Sequence, residues 1–227
     1  MVLPVVAALW ASMPNRAAAD FIFNLTVPNP AIAGFTGPYA QVDVHLVSGT
    51  EATVTFTSLT NSGNIYLMGD GSTVALNVNA GVSSLSATVS GSNAGTGFTP
   101  GPYTANIANN QQVDGFGKFN FTVDSFDGYT HSSDTVVVDL KRSTGNWSTA
   151  NDVLINNAQL ADAAAHIFVT SSPANASNGA IVTGFAGPGG SINVPEPSSI
   201  ALGLVGLVGL GVTQIRRLVR RNALALS

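Results

Sequence analysis

Between Gln41 and Thr57 nearly every second side chain is apolar. Val42, Val44 and Leu46 alternate with Gln41, Asp43 and His45, and after Ser48-Gly49-Thr50 the pattern returns in Thr53-Val54-Thr55-Phe56-Thr57. Successive side chains of a strand point to opposite faces, so this period suits strands that bury one face and would scatter its apolar groups around a helix. The pair predicts a hairpin. Lys118-Phe119-Asn120-Phe121-Thr122-Val123 repeats the alternation, with Phe119, Phe121 and Val123 as core candidates. Further strands are predicted at 64–68, 73–78, 84–89, 135–140, 165–170 and 180–185, separated by turns such as Gly69-Asp70-Gly71 and Asn79-Ala80-Gly81. The Gly- and Pro-rich interval 91–102 reads as a loop, and 157–165 as a helical turn. Short strands at this spacing predict an all-β domain, an antiparallel β-sandwich of jelly-roll or Ig-like type, over residues 20–185.

Composition agrees with that reading and excludes some functions. Only 9% of residues are charged and 24 are glycine, whereas soluble helical proteins draw heavily on Glu, Lys and Arg. Cysteine is absent, which removes disulfides and thiolate metal sites from consideration. From Asp20 to Val194 only Lys118, Lys141 and Arg142 stand against eleven acids, a net charge of −8. Nucleic acid is excluded as an expected partner, because phosphate binding needs a basic face.

The two ends of the chain differ from its middle. Residues 1–19 read as a signal peptide: the run opening Met1-Val2-Leu3-Pro4-Val5-Val6 is apolar but too short for a stable span, and Ala17 and Ala19 form a small-x-small cleavage site. The run lacks the basic front of a standard leader. Residues 186–194 are rich in Gly and Pro and read as a linker. Beyond it, residues 198–215 carry no charge and would make a helix of about 27 Å at about 1.5 Å per residue, close to the hydrocarbon thickness of a bilayer. Arg216, Arg217, Arg220 and Arg221 follow as a stop, which keeps that end cytoplasmic and places the domain outside.

The sequence Val194-Pro195-Glu196-Pro197, followed by a short apolar helix and an arginine cluster, resembles the PEP-CTERM sorting signal of exported bacterial proteins. The resemblance covers residues 195–221 with the preceding valine. It implies exosortase, a membrane-embedded cysteine protease or transpeptidase, as the processing partner, a temporary hold on the membrane, and an association with exopolysaccharide. The same C-terminal module is also named for ice-binding proteins. The two prolines restrain an extended segment that a protease can reach.

Inside the domain, no pattern commits to chemistry. His45, His131 and His166 share no metal-ligand spacing, and neither Gly-x-Ser-x-Gly nor His-Glu-x-x-His is present. Asp124, Asp127 and Asp134, with Gly128 between them, carry oxygens suited to Ca²⁺ but lack the spacing of a calcium loop. No metal and no cofactor is therefore expected. Thr53, Thr55 and Thr57 align three hydroxyls on one strand face, as an ice- or sugar-binding surface or an ordinary solvated strand face would, and Trp147 is a candidate for stacking on a sugar ring or, in its more usual role, for packing over a sandwich edge. The expected function is that of an exported, non-catalytic protein of the cell surface or extracellular matrix. A carbohydrate-binding, ice-binding or adhesion module is the alternative, and a secreted hydrolase a third class.

Overall fold

The computed structural model describes residues 20–193. The predicted signal peptide with Ala17 and Ala19, the sorting motif Val194–Pro197, the helix at 198–215 and the four arginines lie outside these residues. Among the described residues, no helix is long and apolar enough to cross a membrane.

The domain is all-β. Its strands are β1 (Phe21–Pro28), β2 (Ala40–Ser48), β3 (Glu51–Ser58), β4 (Thr60–Asn61), β5 (Asn64–Met68), β6 (Val74–Leu76), β7 (Leu85–Ser92), β8 (Tyr103–Val113), β9 (Gly117–Ser125), β10 (Thr135–Arg142), β11 (Ala163–Ser171) and β12 (Val182–Asn193). All pair antiparallel in one sheet of order β7-β10-β3-β2-β1-β12-β11-β6-β9-β8, with β5 also on β11 and β4 on β5. The sandwich expectation is thereby refined: one sheet curls until its edges, β7 and β8, touch, and the result is nearly a barrel. Gly91 of β7 makes that approach possible, since a Cβ there would collide with the Tyr103 hydroxyl of β8. Tyr103 is fixed by a 2.5 Å hydrogen bond between its hydroxyl and that of Ser133.

The alternation read from sequence is what fills the interior. Val42 faces Phe56 and Val44 faces Val54 across the β2–β3 hairpin, all four fully buried. Phe21, Phe23 and Leu25 of β1, Val136, Val138 and Leu140 of β10, and Phe121 and Val123 of β9 enter the same core. Strand β11 differs because it is buried on both faces. Ala163, Ala165, Ile167 and Val169 join the main core, while Ala164 and Phe168 belong to two satellite clusters. That double burial explains its near-continuous apolar sequence and the strand at 163–165, where a helical turn was expected.

Residues 186–194, expected as a linker, are built into the sheet as far as Asn193. Strand β12 lies between β1 and β11, with Phe21 opposite Asn193 and Ala165 opposite Ala186. Its glycines admit close neighbours. A Cβ at Gly187 would collide with the Phe116 ring, and one at Gly184 would sit 2.6 Å from Asn29 Oδ1. Asn29, only 3% exposed, satisfies its polar atoms here. Its backbone N–H donates to Phe185 O (2.8 Å), its Oδ1 accepts from Phe185 N (3.1 Å), and its Nδ2 donates to Asp114 Oδ2 (2.8 Å).

Two long strands, β8 and β1, fall outside those predicted from sequence. In β8, Tyr103-Thr-Ala-Asn-Ile-Ala-Asn-Asn-Gln-Gln-Val113 alternates only at its start, and its register against β9 shifts between Ile107 and Gln111. Strand β1 alternates cleanly from Phe21 to Leu25 but abuts the leader.

Gly187→Ala is expected to cost about 1–3 kcal/mol through the forced shift of Phe116, as overpacking of a filled site does. Chemical denaturation measures it, and a loss below a few tenths of a kcal/mol would show that the segment behaves as a linker.

Candidate functional site

The threonine row is formed, but its surroundings are mixed. Thr53, Thr55 and Thr57 lie on the face of β3 opposite Val54 and Phe56. Their cross-strand neighbours are His45 and Asp139, Asp43 and Val137, and Gln41 and Thr135 respectively. Thr53 Oγ1 already donates to Asp139 Oδ1 at 2.7 Å. Beyond β10 the same face continues in the exposed hydroxyls of Ser86, Thr88, Ser90 and Ser92 on β7, but His45, Asp43, Asp139 and Lys141 interrupt the array with charge. Asp43 within it has its pKa raised by burial, and the neighbouring Asp20 adds to the effect.

Trp147 is withdrawn from the surface, so of its two expected roles the structure shows packing and corrects the stacking on a sugar. It is 2% exposed and packs into the main core. Its Nε1–H donates to Asn79 O at 3.0 Å, and the Arg142 guanidinium lies 5.1 Å from the ring centroid. Neither face is open to a ligand.

The three histidines go to separate places. His45 Nδ1 meets Asp20 at 2.6 Å on the exposed outer surface. His131 Nδ1 reaches the carbonyls of Thr99 and Gly101, each at 2.8 Å. His166 stacks on Phe185 at 4.3 Å and Phe168 at 5.6 Å, and burial lowers its pKa. The imidazole is therefore neutral near pH 7, and its Nδ1–H donates to Gly71 O at 3.1 Å. Among the described residues, no group of three or more His, Asp or Glu is placed to hold a metal ion.

Among the described residues, two concavities stand out. The first, of about 240 Å³, is lined by Pro102, Thr104, Asp124, Ser125, Phe126 and Asp127. Of the three aspartates weighed from sequence, Asp124 and Asp127 meet here. Asp134 instead accepts from Ser92 Oγ and Ala94 N. Asp124 has both oxygens engaged, Oδ1 by Ser72 N (2.7 Å) and Oδ2 by Asn106 Nδ2 (2.8 Å). A hydrogen bond shared with Asp70, and then the charge of that group, raise the pKa of Asp127. Asp70 comes from the Gly69-Asp70-Gly71 turn, so sequence proximity gave no sign of this pair.

The second concavity, of about 310 Å³, is lined chiefly by amides: Asn77, Asn109, Asn110, Asn120 and Asn157, with Lys118, Phe119 and Ala158. The register shift in β8 places Asn109 and Asn110 here, and Asn110 holds a left-handed φ of 76°. Such irregularities re-aim side chains out of a regular ladder. Sequence reasoning did not group these residues, because an Asn109-Asn110 pair and three distant asparagines form no motif.

Comparison with known proteins places one part of the chain. Residues 193–221 match the family model described as the PEP-CTERM protein-sorting motif. No curated protein and no solved structure matches the chain. The motif implies export, membrane association and processing by exosortase.

Trp147→Ala is expected to destabilise the fold by about 3–5 kcal/mol, the usual cost of truncating a buried aromatic. Equilibrium unfolding tests this, and a loss under 1 kcal/mol would return the ring to the surface. For Asp127, the folded state holds its proton more tightly than the unfolded chain does. This contribution to stability is therefore present at low pH and is lost as pH rises through the raised folded value. In an NMR titration the Asp127 carboxyl is expected to have an apparent pKa above 3.8, returning toward the ordinary value in Asp70→Asn. An unshifted titration in the parent protein would remove the pair.

Proposed function

We propose that this chain is an exported, non-catalytic protein of the cell surface or extracellular matrix, held temporarily in the membrane by its C-terminal segment until exosortase acts at Val194–Pro197. The observation that carries the reading is the sorting-motif match at residues 193–221, which begins on the last residue of β12. Processing beyond Asn193 leaves every strand pairing of the domain in place. The last strand also protects the backbone just upstream, because it is paired along one edge with β1 as far as Asn193. Cleavage is thereby directed to the proline-restrained segment that follows.

The non-catalytic part of the reading rests on how polar groups are committed. In the acidic concavity both oxygens of Asp124 are engaged, and Asp127 is fully exposed to water, which gives a poor environment for proton transfer. A second reading, a carbohydrate-binding module, is favoured by the asparagine-lined concavity. Ice binding is disfavoured by the charged neighbours of the threonine row.

Replacing Pro195, Glu196 and Pro197 together with alanine is expected to leave the protein in the membrane fraction at full length, in a host that contains exosortase. Mass spectrometry of the C-terminus reads the result. Maturation indistinguishable from the parent chain would overturn the proposal.

A further inference from the structure

We propose that the asparagine-lined concavity beside the β8 irregularity binds a neutral, hydroxyl-rich glycan. The inference deepens the carbohydrate-binding reading and rests on it, while standing apart from the sorting of the tail.

The lining divides into a fixed frame and free groups. Asn120 is locked by β6 and the residues after it: its Oδ1 accepts from Val78 N at 2.8 Å and its Nδ2 donates to Val78 O at 2.7 Å. Asn157 is locked as firmly. Its Nδ2 donates to Phe116 O (2.8 Å) and Lys118 O (3.2 Å), and its Oδ1 accepts from Gln159 N (2.9 Å) and Ala161 N (3.0 Å). These two amides spend their hydrogen bonds holding the walls in position and are unavailable to a ligand.

The remaining groups face the same space with their polar atoms open. Asn77 donates through Nδ2 to Ile155 O at 2.9 Å, and its Oδ1 has no partner among the described residues. Asn109, Asn110 and Lys118 make no side-chain hydrogen bond or ion pair to the described residues. The other two cations of the domain are engaged, Lys141 with Glu51 at 2.7 Å and Arg142 with Thr144 O and Asn79 O. The site thus offers amide oxygens, amide N–H donors and one ammonium. An amide presents a donor and an acceptor side by side, which matches the paired donor and acceptor of neighbouring hydroxyls on a sugar. Ala158 contributes exposed apolar lining, while the Phe119 ring is buried in the cluster beneath.

Charge selects the neutral class. Eleven acids against three bases in the surrounding domain repel a polyanionic chain, and a single lysine is too little to reverse that field. A polycation, in turn, meets no carboxylate in the lining.

The test uses the full chain in a detergent without a sugar headgroup, with cellotetraose and maltotetraose as neutral probes and tetragalacturonate as the acidic one, followed by isothermal calorimetry and NMR. At least one neutral tetrasaccharide is expected to bind. Its affinity is expected to fall about tenfold in Asn109→Ala/Asn110→Gly, which removes two amides while glycine keeps the left-handed backbone. Lys118→Gln is expected to weaken it by a smaller factor, and Thr88→Ala, on the exposed face of β7, to leave it unchanged. Binding that persists in the Asn109/Asn110 variant overturns this site and leaves a carbohydrate-binding reading standing elsewhere. No binding of any probe overturns both. A preference for tetragalacturonate overturns the neutral class.

Discussion

The fold depends on one strand pair. Strand β12 alone joins β7-β10-β3-β2-β1 to β11-β6-β9-β8, because it pairs with β1 on one edge and β11 on the other. Without it, the interior would split into two open sheets, each with an apolar face in water. Phe21, Phe23 and Leu25 on one side and Ala165 and Ile167 on the other are buried in the same core. The strand that makes the junction is Val182-Thr-Gly-Phe-Ala-Gly-Pro-Gly-Gly-Ser-Ile-Asn193, with little strand propensity of its own. Its stability is therefore tertiary: Phe116 lies over Gly187, and Asn29 clamps Phe185 while holding the tip of the β8–β9 hairpin through Asp114.

That origin connects architecture to sorting. The sorting motif begins where β12 ends, so the last structural strand and the processing signal are contiguous in sequence. A backbone held in a ladder, as β12 is with β1 up to Asn193, is a poor protease substrate, since cleavage needs a locally extended, accessible backbone. The proline pair beyond it cannot continue a ladder or a helix.

Away from the tail, the polar groups of the domain show where its chemistry is spent. Most buried or half-buried amides and hydroxyls hold turns: Asn157 organises the loop before β11, Asn120 fastens the strand after β6, and Asp152 accepts from Thr149 N at a helical turn. This is the expected use of Asn and Asp in a chain poor in charge and rich in connections. Asn109 and Asn110 stand out because they sit on the irregularity of β8 with no such task. Trp147, by contrast, is spent on the core. An aromatic in a polar loop reads as a surface group until the partner for its indole N–H, here Asn79 O, is known.

The sequence by itself determined the class of structure and the route of the protein. Period two from Gln41 to Thr57 and from Lys118 to Val123 dictates strands with Val44, Phe56, Phe121 and Val123 inside, since that choice buries apolar area without burying unpaired polar groups. The order of Val194-Pro195-Glu196-Pro197, apolar run and arginines is likewise a local signal, readable because no distant residue takes part in it. Tertiary structure alone decided which segments were strands in spite of their composition, and which side chains became neighbours. Glycines that mean freedom in an isolated segment mean close approach when Phe116 and Asn29 cover them. Asp70 and Asp127, or Asn77 and Asn109, come together only after a curled sheet has brought separate turns and strands to one place. Such meetings leave no spacing in the chain, because the contacts are made across strands rather than along them.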